Sequence, residues 1–276
     1  MLIKHRAPLM TLAFAVFCSF LVLSCNSDST ASSDATGRIL LRLIDSPAWF
    51  DQEVIVMRRI EIHRTGASAE LGWRVINGEL ASYDLLKLIN GVSQVIASTE
   101  IPEGKYDAIR IIMEGSHVWI GEKYELLNLP NHVAGGFVLQ YPITITAGEL
   151  FELILDFDAY RSIKQTGPEE YQLDPSIRAQ DALLTGSISG SVVAADNTAK
   201  AVNSHISTAV GGVTASTLTD TTSFGSFILL AIPEGDYNLK IAPVDSLGGY
   251  KDTTIASIRV VRKQETKIGS ISLSLK

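Results

Sequence analysis

Cysteine is nearly missing from this chain. Two occur in 276 residues, Cys18 and Cys25, and both lie within the first 25 positions. Whatever folds beyond them does so without a disulfide, a thiolate zinc cluster or a cysteine nucleophile. Positive charge is also short, with 23 Lys+Arg against 30 Asp+Glu and a formal charge of −7. No basic stripe remains to follow a phosphate backbone, which excludes nucleic acid as a partner class. Histidine is sparse and scattered. His5, His63, His117, His132 and His205 form no His-Glu-x-x-His and no pair at zinc-ligand spacing. No Gly-x-x-x-x-Gly-Lys-(Ser/Thr) phosphate loop occurs. The stretch "GSISG" at 186–190 has the outline of a nucleophile elbow, but Ile188 stands where the serine is required. No long helical pattern alternates with strands, which sets aside a nucleotide-binding α/β fold. These absences lead us to expect no enzyme and no cofactor.

What is present begins with an export segment. In "MLIKHRAPLMTLAFAVFCSFLVLSC" a basic head, Lys4 and Arg6, precedes an unbroken apolar run to Leu23. Ser24 directly before Cys25 resembles the lipobox of bacterial lipoproteins, with Val22 in place of the commoner leucine. That resemblance implies a signal peptide over 1–24 and lipidation of Cys25. A plain signal peptide or a single membrane helix is the competing reading. Residues 25–36 ("CNSDSTASSDAT") are polar and short-chained and read as a flexible tether.

From Gly37 onward the chain alternates and turns at the pace of an all-β protein, and 46% hydrophobic residues suffice for a core without staples. "EVIVMRRIEIHR" reads as a strand with Val54, Val56, Arg58, Ile60 and Ile62 on one face and Ile55, Met57, Arg59, Glu61 and His63 on the other. "SYDLLKLINGV" reads as one short helix, with Leu85, Leu86 and Ile89 at helical spacing and Gly91 to end it. Composition shifts near Leu184 from large aliphatics and charges to Ser, Thr, Gly and Ala. The expectation is two tandem β-sandwich domains, at 37–183 and 184–276. One word occurs in both: "IPEG" at 101–104 and again at 232–235, each time followed by a tyrosine two residues on, then by a basic residue and an isoleucine. Pro presets φ and Gly accepts a positive one, so each copy reads as a turn between strands. Glu103 and Glu234 have no second acid at a fixed offset, so the word repeats architecture and not chemistry.

Two family resemblances follow. "GSISGSVV", "TDTTSFGSF", "IPEGDYNLKI" and "GGYKDTTIASIRVVRKQETKIGSISL" make the segment from Gly186 to Lys276 similar to carboxypeptidase-regulatory-like (transthyretin- or prealbumin-like) domains, which are accessory β-sandwiches. "LRLIDSPAWFDQEVIVMRRIEIHRTG", "DLLKLINGV", "IPEGKYDAIRIIM", "LILDFDAYRSI" and "YQLDPSIRA" make the segment before it resemble a bacterial secreted-lipoprotein family, domain of unknown function 4382. That resemblance implies no activity.

Two sets of side chains could bind something. Asp156 and Asp158 are two apart on a strand and share a face; with Asp45 they could hold Ca2+ through oxygen, although turn capping accounts for such acids equally. Asp51 and Asp174 are further acids at strand ends. Trp49 with Phe50, Trp73, and Trp119 with Tyr124 could stack against sugar rings, against which stands ordinary core packing. The expected role is a non-catalytic binding or scaffolding protein, lipid-anchored in a bacterial envelope, with the outer membrane as its site and an extracellular glycan or protein as partner. One alternative is a pilin-like fimbrial subunit, because some pilins begin as lipoproteins, carry two transthyretin-like domains and are cleaved after an arginine. Arg38 in "ATGRILLRLI" stands directly before a strand. Another is a glycan- or peptide-acting hydrolase with an unfamiliar site.

Overall fold

The computed structural model describes residues 35–48, 50–196, 200–244 and 249–276. The leader, Cys25, most of the tether and Trp49 lie outside them. Among the described residues no helix exceeds four residues, and the protein is all-β. The first domain contains β1 (Thr36–Ser46), β2 (Gln52–Arg64), β3 (Trp73–Asn77), β4 (Ala81–Asp84), β5 (Gln94–Pro102), β6 (Gly104–Met113), β7 (His117–Ile120), β8 (Lys123–Asn128), the single turn α1 (Asn131–Ala134), β9 (Phe137–Ile145), β10 (Leu150–Asp158), the single turn α2 (Ala159–Ser162), β11 (Ile163–Gly167), β12 (Glu170–Leu173) and β13 (Ile177–Asp181). The second contains β14 (Thr185–Ala194), β15 (Ser204–Val210), β16 (Val213–Leu218), β17 (Ser226–Pro233), β18 (Gly235–Pro243), β19 (Thr253–Val260) and β20 (Glu265–Leu273).

Each domain packs two sheets over its own core. In the first, a four-stranded sheet (β13-β10-β1-β5) faces a nine-stranded one (β11-β12-β8-β7-β2-β6-β9, with β3 and β4 on β2). Ile39, Leu41, Leu43, Ile55, Phe157 and Leu155 lie between them without solvent contact. In the second, β17-β14-β20 faces β16-β15-β18-β19 over Ile188, Val192, Ile206, Phe227, Leu239 and Ile241. Each such side chain contributes about 1.5–3 kcal/mol by leaving water.

The two sandwiches are one frame used twice, and the shared word marks the equivalence. In both copies Ile-Pro ends one strand and Gly begins the next, at the point where the chain crosses between sheets: β5 to β6, and β17 to β18. Thr36-Gly37 pairs with Pro102-Ile101, and Thr185-Gly186 with Pro233-Ile232. The amide of Glu103 donates to Ala35 C=O and that of Glu234 to Leu184 C=O, in each case the residue before the domain's first strand. That first strand has one parallel neighbour in each domain, β10 beside β1 and β20 beside β14. The turn entering that parallel strand repeats too. Gly148 N–H donates to Thr36 C=O as Lys263 N–H does to Thr185 C=O, and both residues have positive φ. A Cβ on Gly37 would stand 2.2 Å from Thr146 O, and one on Gly186 2.3 Å from Val261 O, so both first strands need glycine there. The word therefore repeats architecture, and Thr-Gly-x-Ile at 36–39 and 185–188 is its partner in the pairing.

Two local expectations are corrected. The face assignment of β2 holds on neither side along its whole length, because the pairing with β6 slips between Met57 and Arg59. A bulge reverses the alternation, so the buried face is Glu53, Ile55 and Met57 before it and Ile60 and Ile62 after it. The short helix expected in "SYDLLKLINGV" is a strand followed by a 3-10 turn. Ala81–Asp84 pair with β2, which leaves Leu85–Lys87 for a single turn before Asn90 and Gly91, at φ 55° and 86°, reverse the chain.

Candidate functional site

The carboxyls proposed as a calcium triad do not converge. β1 and β10 run side by side with Ile44 opposite Asp156, Asp45 opposite Phe157 and Ser46 opposite Asp158. Residues opposite one another share a face, so Asp45 points into the first core with Phe157, while Asp156 and Asp158 point out of the other side of the sheet. Among the described residues no three acidic, histidine or cysteine side chains gather as metal ligands.

Asp156 serves the seam between the domains instead. Arg178 on β13 donates to its Oδ2 from Nη2 at 2.6 Å and from Nε at 3.2 Å, and carries Nη1 across to Ala231 C=O of β17 at 2.7 Å. Ser46 Oγ donates to Asp156 Oδ1 and accepts the Ser216 amide of β16, both at 3.1 Å. Burial pushes the Asp156 pKa up and the Arg178 guanidinium opposes it. Asn90 completes the seam. Its amide N–H donates to Thr217 Oγ1 at 2.8 Å, and its side-chain oxygen accepts Ile228 N–H at 2.7 Å. Asp158 caps α2 through the Arg161 amide at 3.0 Å. Beside the seam a cleft of about 330 Å³ is lined by Asp158, Tyr160, Arg161, His205 and Ser216. Burial lowers the His205 pKa, so its imidazole is neutral at pH 7.

The three tryptophans part company. Trp49 lies outside the described residues. Trp73 is engaged from within the protein: Arg110 sits over its ring at 4.2 Å, His63 lies 5.0 Å away, and Nε1 donates to Ala69 C=O. His63 is itself held by Asp107 at 2.8 Å, which raises its pKa. Of the two described tryptophans, Trp119 is the exposed one.

Trp119 belongs to the β7–β8 hairpin, where the outward positions are His117, Trp119, Tyr124 and Leu126. Val118 and Leu127, on the inward side, are buried and fasten the hairpin to the core. Trp119 is opposite Tyr124, their rings 5.7 Å apart edge to face, and His117 lies 4.6 Å from Tyr124. Tyr124 and Leu126 are half exposed and Trp119 is 36% exposed. Asp51 fixes the hairpin at both ends of the tryptophan. Its amide donates to Trp119 C=O and its carboxylate accepts the Gly121 amide at 2.6 Å. Trp119 and Tyr124 are thus presented to solvent, with the half-buried His117 beside them. The alternation of His117, Trp119 and then Tyr124, Leu126 across a two-residue turn is the sequence signal for the full set, of which the sequence reading takes Trp119 with Tyr124.

Arg38 is the second residue after the start of β1, a strand paired on both sides. It stands opposite Leu150 and Glu100, and its amide donates to Glu149 C=O. A protease acting after Arg38 would have to open that pairing.

Asp174 accepts from His132 and Lys164, which lowers its pKa and accounts for it as an ion-pair partner.

Among solved structures the chain is similar to a type II cohesin–X-dockerin complex from Acetivibrio cellulolyticus, at 21% identity over 33% of this chain and 56% of that one, with a TM-score of 0.25. It is also similar to GBS52, the minor pilin of Streptococcus agalactiae, at 11% identity over 86% and 96% of the two chains, TM-score 0.26. A third is the shaft pilin spaA from Lactobacillus rhamnosus GG, at 9% identity over 87% and 98%, TM-score 0.25. The chain thus spans little more than half of the first of these, and at such distance the likeness bears on no ligand or partner of this protein. No curated protein has significant sequence similarity to it. Residues 36–175 match the sequence pattern described as domain of unknown function (DUF4382).

Proposed function

The chain belongs to the DUF4382 family, and from that premise we propose that it is a non-catalytic, lipid-anchored protein of a bacterial cell envelope that holds a polysaccharide on the Trp119–Tyr124 face. The single observation behind this reading is the open row of His117, Trp119 and Tyr124. Flat aromatic faces suit the apolar faces of sugar rings, while His117 and the Tyr124 hydroxyl can hydrogen-bond at their rims. Large aromatics are normally drawn inward, so two adjacent exposed ones, Trp119 and Tyr124, beside a half-buried His117 on a strongly fastened hairpin call for a ligand. The "VLSC" leader, with lipidation at Cys25 and the polar residues after it, would hold the domains at a membrane, with the outer membrane as the site. The second domain, read as a carboxypeptidase-regulatory-like sandwich, serves as a rigid base through the Arg178 seam.

Binding is tested by retarding the purified protein in gels cast with soluble polysaccharides and by sedimenting it with insoluble ones, peptidoglycan included. At least one polysaccharide should bind, and Trp119→Ala should weaken it tenfold or more with the melting temperature almost unchanged, whereas Trp73→Ala should leave binding intact. Retention by none, or equal retention of Trp119→Ala, removes the reading. Mass spectrometry of the membrane-bound protein tests the anchor. A diacylated Cys25 supports it, and a chain starting at Ile39 would support pilin-like processing instead.

A further inference from the structure

Asp45 and Glu53 bracket the passage of the chain from one sheet of the first domain to the other. Asp45 is the penultimate residue of β1, in the four-stranded sheet, and Glu53 the second residue of β2, in the nine-stranded one. Both point between the sheets. Asp45 shares its face with Leu41, Leu43 and Phe157, and Glu53 shares its face with Ile55 and Val118, all fully buried. Asp45 is 3% exposed and Glu53 0%. None of their four carboxyl oxygens has a hydrogen-bond partner among the described residues, and neither residue forms an ion pair. The Ala159 amide lies near Asp45 and the Ala48 amide near Glu53, but neither completes a hydrogen bond.

Unpartnered carboxyls in a core are the reverse of what a stable sandwich selects. Each ionised group loses several kcal/mol of hydration there; the charge of Glu53 disfavours that of Asp45 further, and the charge of Asp84 disfavours that of Glu53. The fold itself does not demand them. In the second copy of the frame, the place of Asp45 in β1 is taken in β14 by Ala194, which is buried without difficulty. A doubly charged ion with oxygen ligands would neutralise both carboxylates and satisfy their lone pairs at once. We propose that Asp45 and Glu53 bind a divalent cation between the two sheets, and that the ion is Ca2+. The donors are oxygens alone, with no imidazole or thiolate, which turns away zinc and copper. Ca2+ accepts irregular sets completed by main-chain carbonyls and water, whereas Mg2+ asks for a near-octahedral cage that two facing strands do not build. Asp156 and Asp158, on the far side of the β1–β10 sheet, take no part. Burial pushes both pKa values up, that of Glu53 to about 8, so that protons and cation compete for the same oxygens. This inference is independent of the polysaccharide reading.

The test compares chelator-stripped protein melted at neutral pH alone, with millimolar Ca2+ and with millimolar Mg2+. Ca2+ should raise the melting temperature by about 5 °C, as expected when the ion is present well above its dissociation constant. Mg2+ should do markedly less, and titration calorimetry should show one Ca2+ site. The Asp45→Asn, Glu53→Gln double variant keeps the shapes and removes both charges. It should melt no lower than stripped wild type and gain nothing from Ca2+. Glu53→Gln alone provides the same comparison should the double variant not fold. Glu70→Gln, an exposed acid elsewhere, should keep the full response. No Ca2+ response in the wild type, or the same response in the Glu53→Gln variant, would overturn the proposal.

Discussion

In the second sandwich β18 runs to β19 through residues 244–252. In the first, the corresponding strands β6 and β9 are separated by residues 114–136, which build β7, β8 and α1. The frame is shared down to individual hydrogen bonds at the Ile-Pro-Glu-Gly corner, yet among the described residues only the first copy carries a row of open rings, and only the first has carboxyls in its core. The bare copy shows what the sandwich needs to fold: a Thr-Gly first strand, a corner and an apolar core. What the other copy has in excess of that minimum is where function should be sought. Hairpin and acids are both such excesses.

The comparison can be broken at three points. The largest effect is expected where the copies meet. Asp156→Ala leaves the buried Arg178 guanidinium without its anion and should cost about 3–5 kcal/mol. Because that guanidinium also spans the seam, calorimetry should resolve the single transition of the wild type into two. One undivided transition at nearly wild-type temperature would mean that the seam does not couple the domains.

The second effect separates the cores by pH. Glu53 has a folded pKa near 8 against an unfolded value of about 4.3, so the folded protein holds the extra proton between these values. In chelated protein, stability should fall as pH rises through that window, by a few kcal/mol, and level off above about pH 8. The sign is opposite to that of a salt-bridged carboxylate such as Asp174, which loses stability as pH falls. Glu53→Gln should flatten the slope in urea titrations at several pH values. A slope unchanged in that variant would place the linkage elsewhere.

The third tests the equivalence of the copies themselves. Gly37→Ala and Gly186→Ala each drive a methyl into a carbonyl oxygen and should each cost about 1–3 kcal/mol, in similar measure. A large loss at one and none at the other would show that the two first strands are not held alike.

Much of the architecture could be read from the residues. The all-β class followed from alternation, and the corner followed from Pro and Gly, whose backbone preferences act within four residues. The paired glycines at 37 and 186 escaped notice because their requirement comes from carbonyls of residues 146 and 261, far away in sequence. The phase of β2 was misread for a like reason, since a bulge depends on the partner strand and not on the strand's own pattern. Of the candidate residues, Trp119 was legible as an aromatic but not as an exposed one. Asp45 was legible as an acid, but its direction was not. Glu53 drew no attention, because a glutamate beginning a strand looks like any solvated residue.

Sequence alone determined what this chain is built from: strands whose residues include no cysteine, two copies of one corner and an acidic balance. Those are properties of composition and of neighbours along the chain. Tertiary structure decided which acids meet, because the parallel pairing of β1 with β10 puts Asp45 on the opposite side of a sheet from Asp156 and Asp158. It also decided which of the two described tryptophans is more open, since Arg110 and His63 cover Trp73 from within the protein while Trp119 meets the edge of Tyr124 and keeps 36% of its surface exposed. The physical reason is the same in both cases: in a sandwich every face is defined by strands that are remote in sequence, so the environment of a side chain is fixed only when the sheets come together.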